Sequence, residues 1–232
     1  MAKKKKLRVL MTRQEEALGW IWLAFQQLLL PVLLRMLNSL LPAPLSAAYL
    51  NFIYFSLNCG FILGFFHSFL GKSLTAAGKS FWEFLQAVVL GFVGCQVCDT
   101  ALSLLIGLLS PGFANVNDQS IIKLAGSHYS LMVIGTVILV PTAEEVLFRG
   151  VVFGSIQRRS RLWAYLVSVA LFAFVHIIGF IGSYDWLRLA LCFIQYIPAG
   201  TFLAWSYEKS GSIFAPILIH TAINAIGIYA MR

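Results

Sequence analysis

Long stretches that avoid charge constrain this chain more than any other feature. From about residue 16 onward, runs of roughly 20 residues follow one another with few ionisable groups inside them. That is the length an α-helix needs to cross a hydrocarbon core. Of 232 residues, 59% are hydrophobic and 11% charged, whereas a soluble domain is about half apolar and a quarter charged. The runs are continuous, which argues against the alternating pattern of a membrane β-barrel. The expectation is an all-α, polytopic transmembrane helical bundle. About seven spans are read, near 16–41, 48–70, 82–109, 129–157, 162–182, 185–207 and 212–231. Residues 71–80 are expected to form an interfacial segment that could count as an eighth, and 110–127 a polar loop. Pro42 and Pro44 mark the first turn, and Pro111 with Gly112 the end of the third span. No internal repeat is present, so a basic tail (1–15) should precede a single transmembrane domain (16–232).

The net charge is +8, but its placement excludes a nucleic-acid role. Lys3 to Lys6, Arg8 and Arg13 precede the first run, and Arg158, Arg159 and Arg161 lie between two later ones. Basic clusters beside spans set orientation and meet anionic lipid headgroups. With the N-terminus in the cytosol, Lys72, Lys79 and Lys209 also fall inside, leaving Lys123, Arg188 and Arg232 outside. The first run is too long for a signal peptide, and Thr12 with Glu15 has the spacing of a capping box at its start. The four cysteines, Cys59, Cys95, Cys98 and Cys192, lie within spans, where they read as packing residues. The GxxxG pairs Gly60/Gly64 and Gly150/Gly154 would let helices approach closely.

Polar residues at depth carry the functional information. The run VILVPTAEEVLFRGVVFG (137–154) holds Glu144, Glu145 and Arg149. A charge near the bilayer centre costs roughly 2.5–3.5 kcal/mol on insertion scales. Glu145 and Arg149 sit four apart with the acid first, the favoured order for a helical ion pair. Glu144 points about 100° away from that pair around the helix, and Pro141 can kink the helix just upstream. Span five offers Phe172 and His176 on one face, and span seven His220 and Asn224 on one face. Counted at 1.5 Å per residue from the proposed cytosolic ends, Glu144 and His176 lie roughly 20 Å in, Asn224 about 18 Å and His220 about 12 Å. These depths are compatible with one polar pocket. A carboxylate in apolar surroundings can act as a general base. Two imidazoles with a carboxylate can bind a metal or hold a water, and an amide with a histidine can stabilise an oxyanion. Together they point to a hydrolase that activates water inside the membrane.

The segments EEVLFRG (144–150), FAFVH (172–176) and HTAIN (220–224) resemble, in order and spacing, the EExxxR, FxxxH and HxxxN motifs of the CPBP family. This family comprises CAAX-type prenyl proteases and bacteriocin-processing (Abi) intramembrane proteases. The resemblance covers about 125–232 and makes that segment the catalytic core. It implies an intramembrane endopeptidase in a bacterial plasma membrane, with a site opening towards the cytosol and a peptide or lipidated protein as substrate. Glu144 is then the general base, Glu145 and Arg149 its supporting pair, and His176 the residue that positions water or binds a metal. His220 and Asn224 are the oxyanion pair. Zinc or another divalent metal and a metal-free glutamate mechanism both stay open, because neither histidine motif has the HExxH form. Span six departs from the family pattern, offering only Ala199 and Gly200 after Pro198. The competing reading is a non-catalytic membrane regulator or a bacteriocin self-immunity protein. A transporter would have to explain Asp99 and Arg35 and lacks the expected inverted repeat.

Overall fold

The structure is a computed structural model that describes residues 11–230, so Lys3 to Lys6, Arg8 and Arg232 lie outside the described residues. Among the described residues the fold is entirely helical, without a strand. Helix α1 (Arg13–Leu28) opens on the expected capping box. The Thr12 amide donates to Glu15 Oε2 at 2.7 Å, and the Glu15 amide donates to Thr12 Oγ1 at 3.2 Å. The first span is not one helix, however. It breaks at Leu29, and α2 (Leu30–Ser39) continues at a bend of 44°. Pro31 in the first turn of α2 supplies no amide to the preceding turn, which accounts for the break.

Helices α3 (Ala47–Phe65), α4 (His67–Lys79) and α5 (Phe81–Leu109) follow. The expected interfacial segment 71–80 is most of α4. The expected polar loop 110–127 is much shorter, because α6 (Val116–Val133) begins inside it. Asn115 caps this helix, its side-chain oxygen accepting from the Asn117 amide at 3.0 Å, and Asp118 lies in the first turn where negative charge is favoured. A non-helical backbone at His128 (φ −145°, ψ 61°) turns the helix where the fourth span was expected to start.

Beyond that kink the rod widens. A π-helical stretch π1 (Ile134–Leu139) leads into α7 (Val140–Glu145), a second π-helical stretch π2 (Val146–Phe153) and the last turn α8 (Gly154–Gln157). Helices α9 (Arg161–Val175), α10 (Trp186–Ser210) and α11 (Phe214–Ala230) complete the chain. Five segments are long and apolar enough to cross a membrane, and the bent α1–α2 pair makes a sixth; α11 is apolar but has only 17 residues. The seven runs read from the sequence therefore become five or six full-length spans and one shorter helix.

Side-chain bonds gather several loops at one end. Arg158 pairs with Glu16 and donates to the Met11 carbonyl at 2.8 Å. Glu208 accepts from Gln157 at 2.7 Å and from Arg161 at 2.8 Å. Ser212 donates to the Ser73 carbonyl at 2.8 Å. Arg13, Arg158, Arg159, Arg161 and Lys209 thus sit at a single basic end. At the opposite end Arg188 donates to the Ala114 carbonyl at 3.2 Å.

The main core joins α1, α3, π2, α9, α10 and α11. Of the two GxxxG pairs, Gly60/Gly64 has nothing within 4 Å of either added Cβ, so it makes no close approach among the described residues. At Gly150 a Cβ would meet Met11 and Phe69. At Gly200 the neighbour is stiffer: its Cβ would lie 3.0 Å from Val169 Cγ1 and 3.4 Å from the Val169 backbone. Gly200→Val is expected to wedge α9 from α10 and destabilise by about 1–3 kcal/mol, read by thermal unfolding in detergent. Gly60→Ala, inside α3 with open space around its Cβ, should not lower stability and can raise it by up to about 1 kcal/mol.

Candidate active site

The wide turns of π1 and π2 carry Glu144 and Glu145 into the middle of the bundle. Their register follows from Pro141. The Val140 amide bonds the Gly135 carbonyl five residues back. In that register the next carbonyl, Thr136, faces the nitrogen of Pro141, which has no hydrogen to give. Asn224 on α11 supplies the missing donor, its Nδ2 lying 2.8 Å from the Thr136 oxygen.

Glu145 and Arg149 are both fully buried. Arg149 Nη1 donates to Glu145 Oε1 at 3.2 Å, and Nε lies 3.2 Å from Oε2. The guanidinium also donates to the Gly200 carbonyl at 3.2 Å and covers the Phe172 ring, 4.3 Å from its centroid. His220 Nδ1 is 2.7 Å from Glu145 Oε1; a carboxylate oxygen accepts, so Nδ1 donates. The sequence suggests that His220 faces Glu144; the structure instead joins it to the buried ion pair.

Glu144 stands apart from that cluster. Its Oε2 is enclosed without a hydrogen-bond partner, and His176 Nε2 lies 3.9 Å away. Both side chains keep some exposure, 22% for Glu144 and 14% for His176. His176 Nδ1 is 2.7 Å from the Phe172 carbonyl, which can only accept. The proton thus sits on Nδ1, and in the neutral ring Nε2 presents a lone pair towards Glu144. Tyr196 stacks on the imidazole at 4.1 Å and 27°. The motifs do not include Tyr196, although it lies four residues before Gly200 and so shares the face of α10 turned to Arg149. Nor do they include Thr136.

The donor set does not fit a metal held by three protein groups. Among the described residues no three His, Cys, Asp or Glu side chains converge as such a site requires. Glu145 and His220 are engaged with one another and with Arg149, which leaves Glu144 and His176 as the facing pair. Breaking the buried ion pair should be costly. Arg149→Met is expected to destabilise by about 3–5 kcal/mol, because it strands a buried carboxylate. The double variant Glu145→Gln/Arg149→Met should lose less, as a thermal or denaturant double-mutant cycle would read.

Comparison with known proteins bears on the same segment. Residues 126–226 match the type II CAAX prenyl endopeptidase Rce1-like family. The chain is also 32% identical over 95 residues to the UPF0177 protein YxdF of Lactococcus lactis subsp. lactis (strain IL1403). That alignment covers 41% of this chain and 47% of the relative, so the chain spans about half the length of the curated relative it matches. No solved structure matches the chain. The matched residues contain all three motifs, so this carboxy-terminal segment is similar to the Rce1-like family in the part of the chain that carries Glu144, His176 and His220.

Proposed function

We propose that the protein is an intramembrane endopeptidase that hydrolyses a peptide bond with a water activated by Glu144. The observation that carries this reading is the facing pair Glu144 Oε2 and His176 Nε2 at 3.9 Å. Both atoms are acceptors. A water donating one hydrogen to each would make two bonds of about 2.8 Å and keep its lone pairs turned towards a substrate carbonyl. Glu144 takes one proton as the oxygen attacks the carbonyl carbon, then returns it to the departing amine nitrogen. The C–O bond forms before the C–N bond breaks, and the carboxylate is regenerated.

The oxyanion needs donors in a dry site. Asn224 has a second amide hydrogen beyond the one given to Thr136, and this hydrogen is the oxyanion donor in the proposed reaction. His220, with Nδ1 given to Glu145, donates at Nε2 only when its ring carries both protons. Glu145 and Arg149 hold His220 and the Phe172 ring in place, and Phe172 in turn presents the carbonyl that orients His176. They act by positioning.

The test is cleavage of a peptide by the purified protein in liposomes. Glu144→Gln keeps the shape of the side chain and removes the base. Cleavage is expected to fall on the order of 10²–10⁴-fold, with the unfolding transition unchanged. Undiminished cleavage by this variant would refute the mechanism. A regulator acting only by binding would tolerate the same change in a complementation assay.

A further inference from the structure

The burial pattern along the four elements that carry the site is lopsided. Between the catalytic residues and the basic end, π2, α9, α10 and α11 are close-packed. Phe148, Phe153, Leu203, Tyr207, Ile213 and Ile219 all have no exposed surface. Phe153 meets Tyr165 and Tyr207 edge to face, at centroid distances of 5.0 and 6.2 Å. The serine hydroxyls buried here, those of Ser168, Ser206, Ser210 and Ser212, all donate to backbone carbonyls, and the close packing leaves a polar peptide no room.

The opposite side keeps a smaller apolar cluster of Val116, Ile177, Leu189 and Cys192 and differs mainly in its chemistry. Beyond His220, α11 has one buried residue, Ile228, in its remaining turns. From Tyr196, stacked on His176, a chain of polar side chains runs towards the far end. The Tyr196 hydroxyl donates to Asn115 Oδ1 at 3.4 Å, and Asn115 Nδ2 donates to Gln195 Oε1 at 2.9 Å. Gln195 Nε2 continues to Ser103 Oγ at 3.4 Å. Asn117 is within hydrogen-bond reach of Tyr196, and the Asp118 carboxylate is near enough to act on it electrostatically. These groups come from α5, the start of α6 and α10. Ser103, Asn117, Asp118, Gln195 and Tyr196 all keep partial exposure, and polar side chains that reach the surface border water or a polar guest more favourably than hydrocarbon.

We propose that the catalytic pocket is entered from the end opposite the basic loops, along the polar wall of α5, α6 and α10. Its substrate is then a polar peptide segment presented on that face of the membrane. If the basic end lies in the cytosol, as the positive-inside rule requires, that face is extracytoplasmic. The substrate class becomes an exported or surface-exposed peptide, in place of the cytosolic opening that the family resemblance implied. Only the identity of the ligand as a substrate rests on the proteolytic reading; the direction of access does not.

The test compares two reporter positions in the same protein, so it works whichever way the chain is inserted. In a background with Cys59, Cys95, Cys98 and Cys192 replaced by serine, Glu144→Cys reports on the pocket and Arg159→Cys on the basic end. Right-side-out and inverted vesicles are treated with a charged, membrane-impermeant methanethiosulfonate. Glu144→Cys is expected to react at least about tenfold faster in the vesicle orientation in which Arg159→Cys is protected. Reaction from the same side as Arg159→Cys, or from neither side, overturns the proposal. Gln195→Cys gives the same readout should Glu144→Cys fail to fold. The substrate part is read in sealed vesicles of the unmodified protein. A peptide supplied on the Glu144→Cys-reactive side is cleaved, and cleavage only from the Arg159 side overturns that part. Labelling involves no turnover, so it stands or falls independently of the Glu144→Gln result.

Discussion

Two opposite charges with no exposed surface, Glu145 and Arg149, hold the functional half of this molecule together. Charges buried this deeply persist only when their partners are fixed, because desolvation can outweigh the mutual attraction. Here the partners come from three directions. Arg149 reaches α10 through the Gly200 carbonyl and α9 through the Phe172 ring, and Glu145 reaches α11 through His220. The geometry of Glu144 is a consequence. It is the next residue back along α7, turned away from that ion-paired cluster and towards His176. The pair does not perform the chemistry; it makes one neighbouring carboxylate the odd one out.

The same logic governs the backbone. Pro141 removes a donor at the point where the rod must present two adjacent glutamates, and the π register transfers the loss to the Thr136 carbonyl. A bare carbonyl in a membrane interior costs several kcal/mol, so Asn224 closing it fixes both the register of π1 and the rotation of α11. The family resemblance gives Asn224 a chemical role. Its observed bond is structural, and the two are compatible because an amide nitrogen has two hydrogens. Losing Asn224 would therefore disturb the helix carrying Glu144 as well as any oxyanion contact.

How much of this was legible in the sequence depended on range. The Glu145–Arg149 pair follows from i,i+4 spacing, and Phe172–His176 likewise. The partner of His220 did not follow: it lies 75 residues away, and only the bundle's rotation decides whether the imidazole meets Glu144 or Glu145. The π turns left no trace beyond Pro141. Two misread boundaries did have signals. Pro31 announced the break between α1 and α2, and Asn115 followed by Asp118 announced the start of α6 inside what looked like a loop. Both were masked by a hydropathy reading that treats polar residues as interruptions and apolar ones as continuous span.

The lopsided packing has a dynamic counterpart. At the basic end one carboxylate, Glu208, accepts from Gln157, from Arg161 and from Tyr165 at 2.8 Å, tying α8, α9 and α10 together. Nothing comparable is seen at the far ends of α9 and α11 among the described residues. A small apolar cluster of Val116, Ile177, Leu189 and Cys192 still ties α6 to α10 there, whereas α11 beyond His220 buries only Ile228. Local opening is easiest where buried apolar contacts are few, so the far end of α11 should open before the basic end does. The proposed peptidase reaction, which must admit a peptide yet keep Glu144, the ion pair and the backbone register fixed, would use this division. The proposed catalytic residues lie at the inner edge of the packed part, where Glu145 is sealed and Glu144, one residue away, is not.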